Sequence, residues 1–236
     1  MTAEQWARTV RHQLGLGRLL PLGGPRDGAW ISEEAATAVL RAAVEGLRDV
    51  RLGGVRIGLA DPADAREPTV PPPPSALPPG PLRLTAEFEA TLTQPVPVTA
   101  ERLRSALART AAGSLGLEVG AVDLRVTGLL DEESPREGQP EEPRPVEPAA
   151  AGSGDEGRAG EAALAVSGVT GLTGLLGRPV QITERASEGA LPRRHVRVEL
   201  AVDRRALDVA RAVRARVEQA LPDHPTVAVL VTAVLG

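Results

Sequence analysis

The clearest signal along the chain is an alternation. Leu82, Leu84, Ala86, Phe88 and Ala90 share one parity, and Arg83, Thr85, Glu87 and Glu89 fill the other. A two-residue period predicts a strand with one face on a core and the other in water. Val55, Ile57 and Leu59, interleaved with Arg56 and Gly58, predict a second strand, and Val122, Leu124 and Val126 predict a third.

Two stretches follow helical spacing instead. Ala36, Val39, Leu40, Ala43, Val44 and Leu47 make one stripe behind Ser32, a residue suited to cap a helix. Glu33 and Glu34 fall in its first turn, where the helix dipole favours acids. This helix should stop before Gly53-Gly54. Leu103, Ala106, Leu107 and Ala111 make a second stripe, with Thr99 as its candidate cap and an end near Gly113 or Gly116. The order over residues 30–130 is therefore α-β-β-α-β.

Much of that order returns towards the C-terminus. Leu164–Leu176 is a Gly-interrupted helix candidate, Pro179–Thr183 is a short strand, and Val196, Val198 and Leu200 alternate with Arg197 and Glu199. Ala206, Val209, Ala210, Val213, Val217 and Leu221 form the longest helical stripe, and Val227–Leu235 closes the chain as a strand. The ending Val126-Thr127-Gly128-Leu129-Leu130 can be laid on Val231-Thr232-Ala233-Val234-Leu235. The expectation is an α+β chain of two small α-β-β-α-β units related by a diverged duplication, each a three-stranded mixed sheet with helices on one face.

The interruptions divide the chain further. Residues 131–161 carry 3 Arg against 10 acids and hold almost no large apolar side chain. Their ordering entropy outweighs anything they could bury, so a disordered acidic linker is expected between units at 30–130 and 162–236. A Pro-rich insertion at 68–81 lies inside the first unit and reads as an extended polyproline loop. Residues 1–29 read as an amphipathic segment outside both units. Trp6, Val10 and Leu14 share one helical face there, with Arg8 and Arg11 beside it. That face either packs on the first unit or docks on a membrane or a partner, which makes these five the candidate partner-binding residues.

Composition narrows the chemistry. The chain is 42% apolar, but Trp6, Trp30 and Phe88 are its only aromatics, so its cores must be aliphatic. It has no Cys and no Lys, which excludes disulfides, thiolate metal sites, a Cys nucleophile and a Lys-bearing phosphate loop. His12, His195 and His224 lie in three different contexts, away from metal-ligand spacing, and read as solvated surface groups. Gly15-Leu16-Gly17 is not completed to a dinucleotide fingerprint, and Ser114 and Ser153 miss the nucleophile-elbow spacing. No catalytic, cofactor-binding or metal-ligating residue is expected, and the chain reads as non-enzymatic. No apolar run approaches the roughly 20 residues needed to span a bilayer. The N-terminus also lacks the apolar core of a secretory signal, so the expected location is the cytoplasm.

One cluster supports a different class of function. Arg193, Arg194, Arg197, Arg204 and Arg205 gather around one strand and the start of the helix that follows, and Gly171-Leu172-Thr173-Gly174 has the spacing of a backbone-clamping RNA-binding loop. Nucleic-acid binding by the second unit is the alternative reading. Against it, that loop holds no basic residue and the second unit has no aromatic ring on which a base could stack.

Several segments together resemble a known family. They are Ile31-Ser32-Glu33-Glu34-Ala35 leading into a helix, the strand Leu82–Leu92, Pro97-Val98-Thr99 leading into a helix, and the run from Leu117-Glu118-Val119 through Val126-Thr127-Gly128-Leu129. Over roughly residues 30–130 the chain is similar to the alkaline-shock, general-stress family of bacterial envelope stress proteins. The resemblance implies a small, non-catalytic cytoplasmic protein connected with envelope stress and held at the inner face of the cell membrane through a partner protein. It implies a protein–protein interaction or scaffold role, with a protein partner at the membrane or self-association and no transmembrane segment of its own. The Pro-rich insertion, the acidic linker and the second unit depart from the family pattern.

Overall fold

The computed structural model describes residues 17–130, 149–185 and 193–235. Two short strands come first, β1 (Leu19–Pro21) and β2 (Ala29–Ser32), and β2 runs without a loop into helix α1 (Glu33–Val44). Strands β3 (Val50–Leu59) and β4 (Leu82–Thr91), helix α2 (Val96–Thr110) and strand β5 (Val119–Leu130) follow. Beyond them lie α3 (Gly154–Leu164), β6 (Val169–Leu172), β7 (Val180–Arg185), β8 (Arg193–Val202), α4 (Ala206–Ala220) and β9 (Thr226–Val234).

The strands form two sheets in a mixed α+β arrangement. In the smaller, β3 pairs antiparallel with β4 and β4 pairs parallel with β5, so residues 30–130 do supply a three-stranded mixed sheet. The larger sheet has six strands rather than the expected three, in the order β1-β2-β9-β8-β6, with β7 also paired to β8. Within it β7, β8 and β9 repeat the same sequence of senses, antiparallel and then parallel.

Of the three extra strands, β1 comes from the expected N-terminal segment, β2 from the boundary between that segment and the first unit, and β6 from the expected helix 164–176. β2 lies parallel to β9, and β1 lies antiparallel to β2. Their sequences explain why. Leu20 and Ile31 enter the main core while Leu19 and Trp30 are buried on the opposite face, so this stretch needs a sheet covered on both sides.

The β4 alternation is realised as read: Leu82, Leu84, Ala86, Phe88 and Ala90 are all fully buried. Ser32 caps α1, its Oγ accepting from the Ala35 amide at 3.2 Å and donating to Thr232 O at 3.4 Å. That one side chain therefore ties the first helix to the last strand. α2 starts earlier than expected, with Pro95 at its cap position and no side-chain cap, because Pro97 fits the first turn of a helix. Thr99 lies inside that turn, buried. The tight turn after α2 ends at Gly116, whose φ of 86° is left-handed and whose Cα faces Leu207 too closely for a side chain.

The Pro-rich insertion is more than a solvent loop. Thr69 N donates to Pro25 O (2.9 Å), Leu77 N to Leu19 O (2.8 Å) and Trp30 Nε1 to Leu77 O (3.4 Å). Val70 thereby packs with Leu19, Trp30, Ala228 and Leu230 as a second small core on the back of the six-stranded sheet.

The expected linker is also shorter than read. Residues 154–161 belong to α3, whose buried side is Gly157, Ala159, Gly160 and Ala163. Small residues bury a helix by close approach rather than by bulk, so a search for large apolar side chains passes over them. The helix expected over 164–176 is replaced by the end of α3, the strand β6 and a turn.

Candidate functional site

The five arginines of the alternative reading stand on β8 and at the start of α4, and four of them meet carboxylates of the same chain. Arg194 bonds Asp155 at 2.6 Å and Asp223 at 3.0 Å. Asp155 is held below the ordinary carboxylate range by hydrogen bonds from Arg158 and then Arg194. Arg194 is raised, first by its bond to Asp155. Arg205 Nη1 donates to Asp208 Oδ1 at 2.7 Å and its Nη2 to Ala112 O at 3.2 Å. Arg204 lies 4.0 Å from Asp203, and Arg197 lies 3.1 Å from Glu199. Arg193 is exposed.

The segment with RNA-loop spacing is no open loop. Gly171 and Leu172 are in β6, and Leu172 and Thr173 are buried, with Thr173 Oγ1 2.8 Å from Thr232 Oγ1.

Glu199 is the group that sequence reasoning misplaced. Alternation put it on the wet side of β8, yet its side chain is fully buried. Its Oε2 accepts from the Leu176 amide at 3.0 Å. Arg197 Nη2 approaches Oε1 at 3.1 Å but off hydrogen-bond geometry, which leaves Oε1 and Arg197 Nε without hydrogen-bond partners among the described residues. Burial pushes the carboxyl up to about 7, against the opposing pull of the Leu176 amide and of Arg197. The missed signal was on the neighbouring strand. Ala228 and Leu230 are apolar on the same face as Glu199, so both faces of this sheet are covered.

His195 is half-buried rather than solvated, with Nδ1 3.1 Å from Thr226 Oγ1, while His224 is exposed in the turn before β9. Trp6, Val10, Leu14, Arg8, Arg11 and His12 lie outside the described residues. Among the described residues, no group of three or more His, Asp or Glu could hold a metal ion, and no helix is long and apolar enough to cross a membrane.

Of the six exposed large apolar side chains among the described residues, Leu164 and Leu235 stand apart and the other four lie towards one end of the smaller sheet. Leu92 follows β4, Val98 stands in the first turn of α2, and Leu129 lies opposite Ala90 near the end of β5. They are 71%, 48% and 59% exposed, and Val126 beside them is 42% exposed. There are also two shallow open grooves, one of about 580 Å³ between α3 and α4 and one of about 310 Å³ between α2 and Leu47. Both are rimmed by charges of both signs, Arg158 and Glu161 in the first and Glu101 and Arg102 in the second, with few apolar side chains to hold a small molecule.

Fold and surface together define a mixed α+β protein with paired arginines and a local apolar end. No family model matches the chain, and no curated protein matches it in sequence.

Proposed function

We propose that this chain is a non-enzymatic interaction or scaffold protein of the envelope-stress type, acting in the cytoplasm through a protein partner at the membrane. The observation that carries the reading is the grouping of Leu92, Val98 and Leu129, exposed at the end of the smaller sheet where β4 turns into α2. Large side chains collected there are what a partner would bury. The matching senses of β3-β4-β5 and β7-β8-β9 support descent of the two halves from one α-β-β-α-β unit. The bonds of Arg194 and Arg205 to internal acids, with Arg197 and Arg204 also beside carboxylates, weigh against the nucleic-acid alternative, because phosphate contacts would have to compete with those acids.

The test is recovery of proteins from a membrane fraction by the parent chain and by a Leu92→Asp/Leu129→Asp variant, beside a salt-dependent RNA-binding assay. A membrane-fraction protein retained by the parent and lost by the variant supports the reading. RNA binding that weakens steeply with salt, together with unchanged protein recovery, favours the alternative.

A further inference from the structure

The two edges of the smaller sheet are treated differently. On the β3 edge, Glu33 Oε1 takes the Ile57 amide, and Arg41 reaches Leu52 O and Gly53 O at the register shift. Among the described residues no strand pairs with the outer side of β5 over its regular stretch, Ala121–Val126, which lies between two register shifts against β4. Leu82 N bonds Glu118 O, and the parallel pairing continues from there with Leu84 beside Val122 and Ala86 beside Leu124. By the alternation of a parallel ladder, the backbone groups of 121, 123 and 125 turn to β4, and those of Val122, Leu124 and Val126 turn outward. Arg104 Nε, donating to Val122 O at 3.3 Å, confirms that direction. Among the described residues it makes the one hydrogen bond to this outer side, and a carbonyl keeps a second lone pair.

The edge is complementary to itself. When a second copy is laid antiparallel with Leu124 opposite Leu124, both exchange N–H and C=O, and Val122 does the same with Val126 of the other chain. On the helix side this stacks Leu124 on its copy and covers the exposed Val126. On the open side Asp123 falls opposite Arg125 of the other chain, twice by symmetry. Within one chain Asp123 already holds Arg83 at 2.7 Å, and Arg125 lies 3.9 Å from Glu87. The pairing joins these into an unbroken row of alternating sign across the seam, from Arg83 through Asp123 to the other chain's Arg125 and Glu87. No proline or inward-facing charge guards residues 121–126, which is how isolated edges are ordinarily protected.

We infer that β5 is the seam of a two-fold dimer of this chain, with Leu124 on the axis and Asp123 paired to Arg125 across it. The inference goes beyond the partner-docking reading and does not rest on it. Its test is sedimentation of the full chain over a concentration series, alone and as charge variants. The parent should dimerise. Asp123→Arg and Arg125→Asp each set like charges opposite one another at both pairs, so each alone should weaken the dimer by roughly tenfold or more. Mixed one to one, the two variants restore both opposite-charge pairs and should form a heterodimer. Val126→Pro removes an outward N–H that β5 itself does not use, so it should be monomeric with the parent's circular dichroism spectrum, and its thermal midpoint should not rise with protein concentration as the dimeric parent's does. This variant decides the matter if a charge variant fails to fold. A parent that stays monomeric overturns the inference, as does a dimer indifferent to all three substitutions or a mixture that does not reassociate. None of these outcomes bears on recovery through Leu92 and Leu129.

Discussion

Glu33 Oε1 accepts the Ile57 amide at 3.1 Å, so the first carboxylate of α1 covers one outward amide on the edge of β3. Its Oε2 stands 3.4 Å from the Arg18 amide and 3.5 Å from Arg18 Nε, which ties the segment before β1 to the same point. A dipole-favoured acid thus also serves as an edge guard. Glu33→Ala leaves a buried N–H unpaired and should cost about 1–3 kcal/mol in urea unfolding. Glu33→Gln keeps an acceptor for Ile57 and should cost less. Faster hydrogen exchange at the Ile57 amide in the Ala variant alone would locate the effect at that bond.

Phe88 is fully buried on the helix-facing side of β4, opposite Leu52 on one neighbour and Val126 on the other. In a core otherwise built of Leu, Val, Ile and Ala, its truncation leaves a void that small neighbours fill poorly. Phe88→Ala should lower unfolding stability by roughly 3–5 kcal/mol. Phe88→Leu should recover most of that loss, measured by the denaturation midpoint at constant slope.

Glu199 gives stability a pH dependence. Its folded pKa of about 7 lies above the ordinary value of 4.5. Between the two the unfolded chain has released the proton and the folded chain still holds it, so stability is greatest at the acid end and falls as pH rises through that window. The loss levels off above about 7 and amounts to roughly 3 kcal/mol for this group. Glu199→Gln carries no proton to lose and should be the more stable chain at pH 8, with a flatter profile from pH 5 to 7. Thermal midpoints across that range, compared between the two chains, read the difference directly.

What the sequence determined was local. Period-two alternation placed β3, β4, β5 and β8, and helical stripes placed α1, α2 and α4, because each element has one apolar side whose repeat is fixed by backbone geometry. Ser32 read correctly as a cap because its hydroxyl bonds an amide three residues away. The small-residue helix α3 escaped, since Gly157, Ala159, Gly160 and Ala163 gain their burial only from what lies against them. Tertiary structure decided which strands share a sheet. Residues 19–32 joined β9, some 200 positions along the chain, because two strands apolar on both faces stabilise nothing until a sheet with two covered sides exists. That same sheet turned Glu199 from an apparent surface acid into a buried one and laid the Pro-rich insertion over Trp30. The outward turn of Val122, Leu124 and Val126 belongs with these. Side-chain parity is written in the sequence, but which edge of a strand stays open is set by the strands that pair with it.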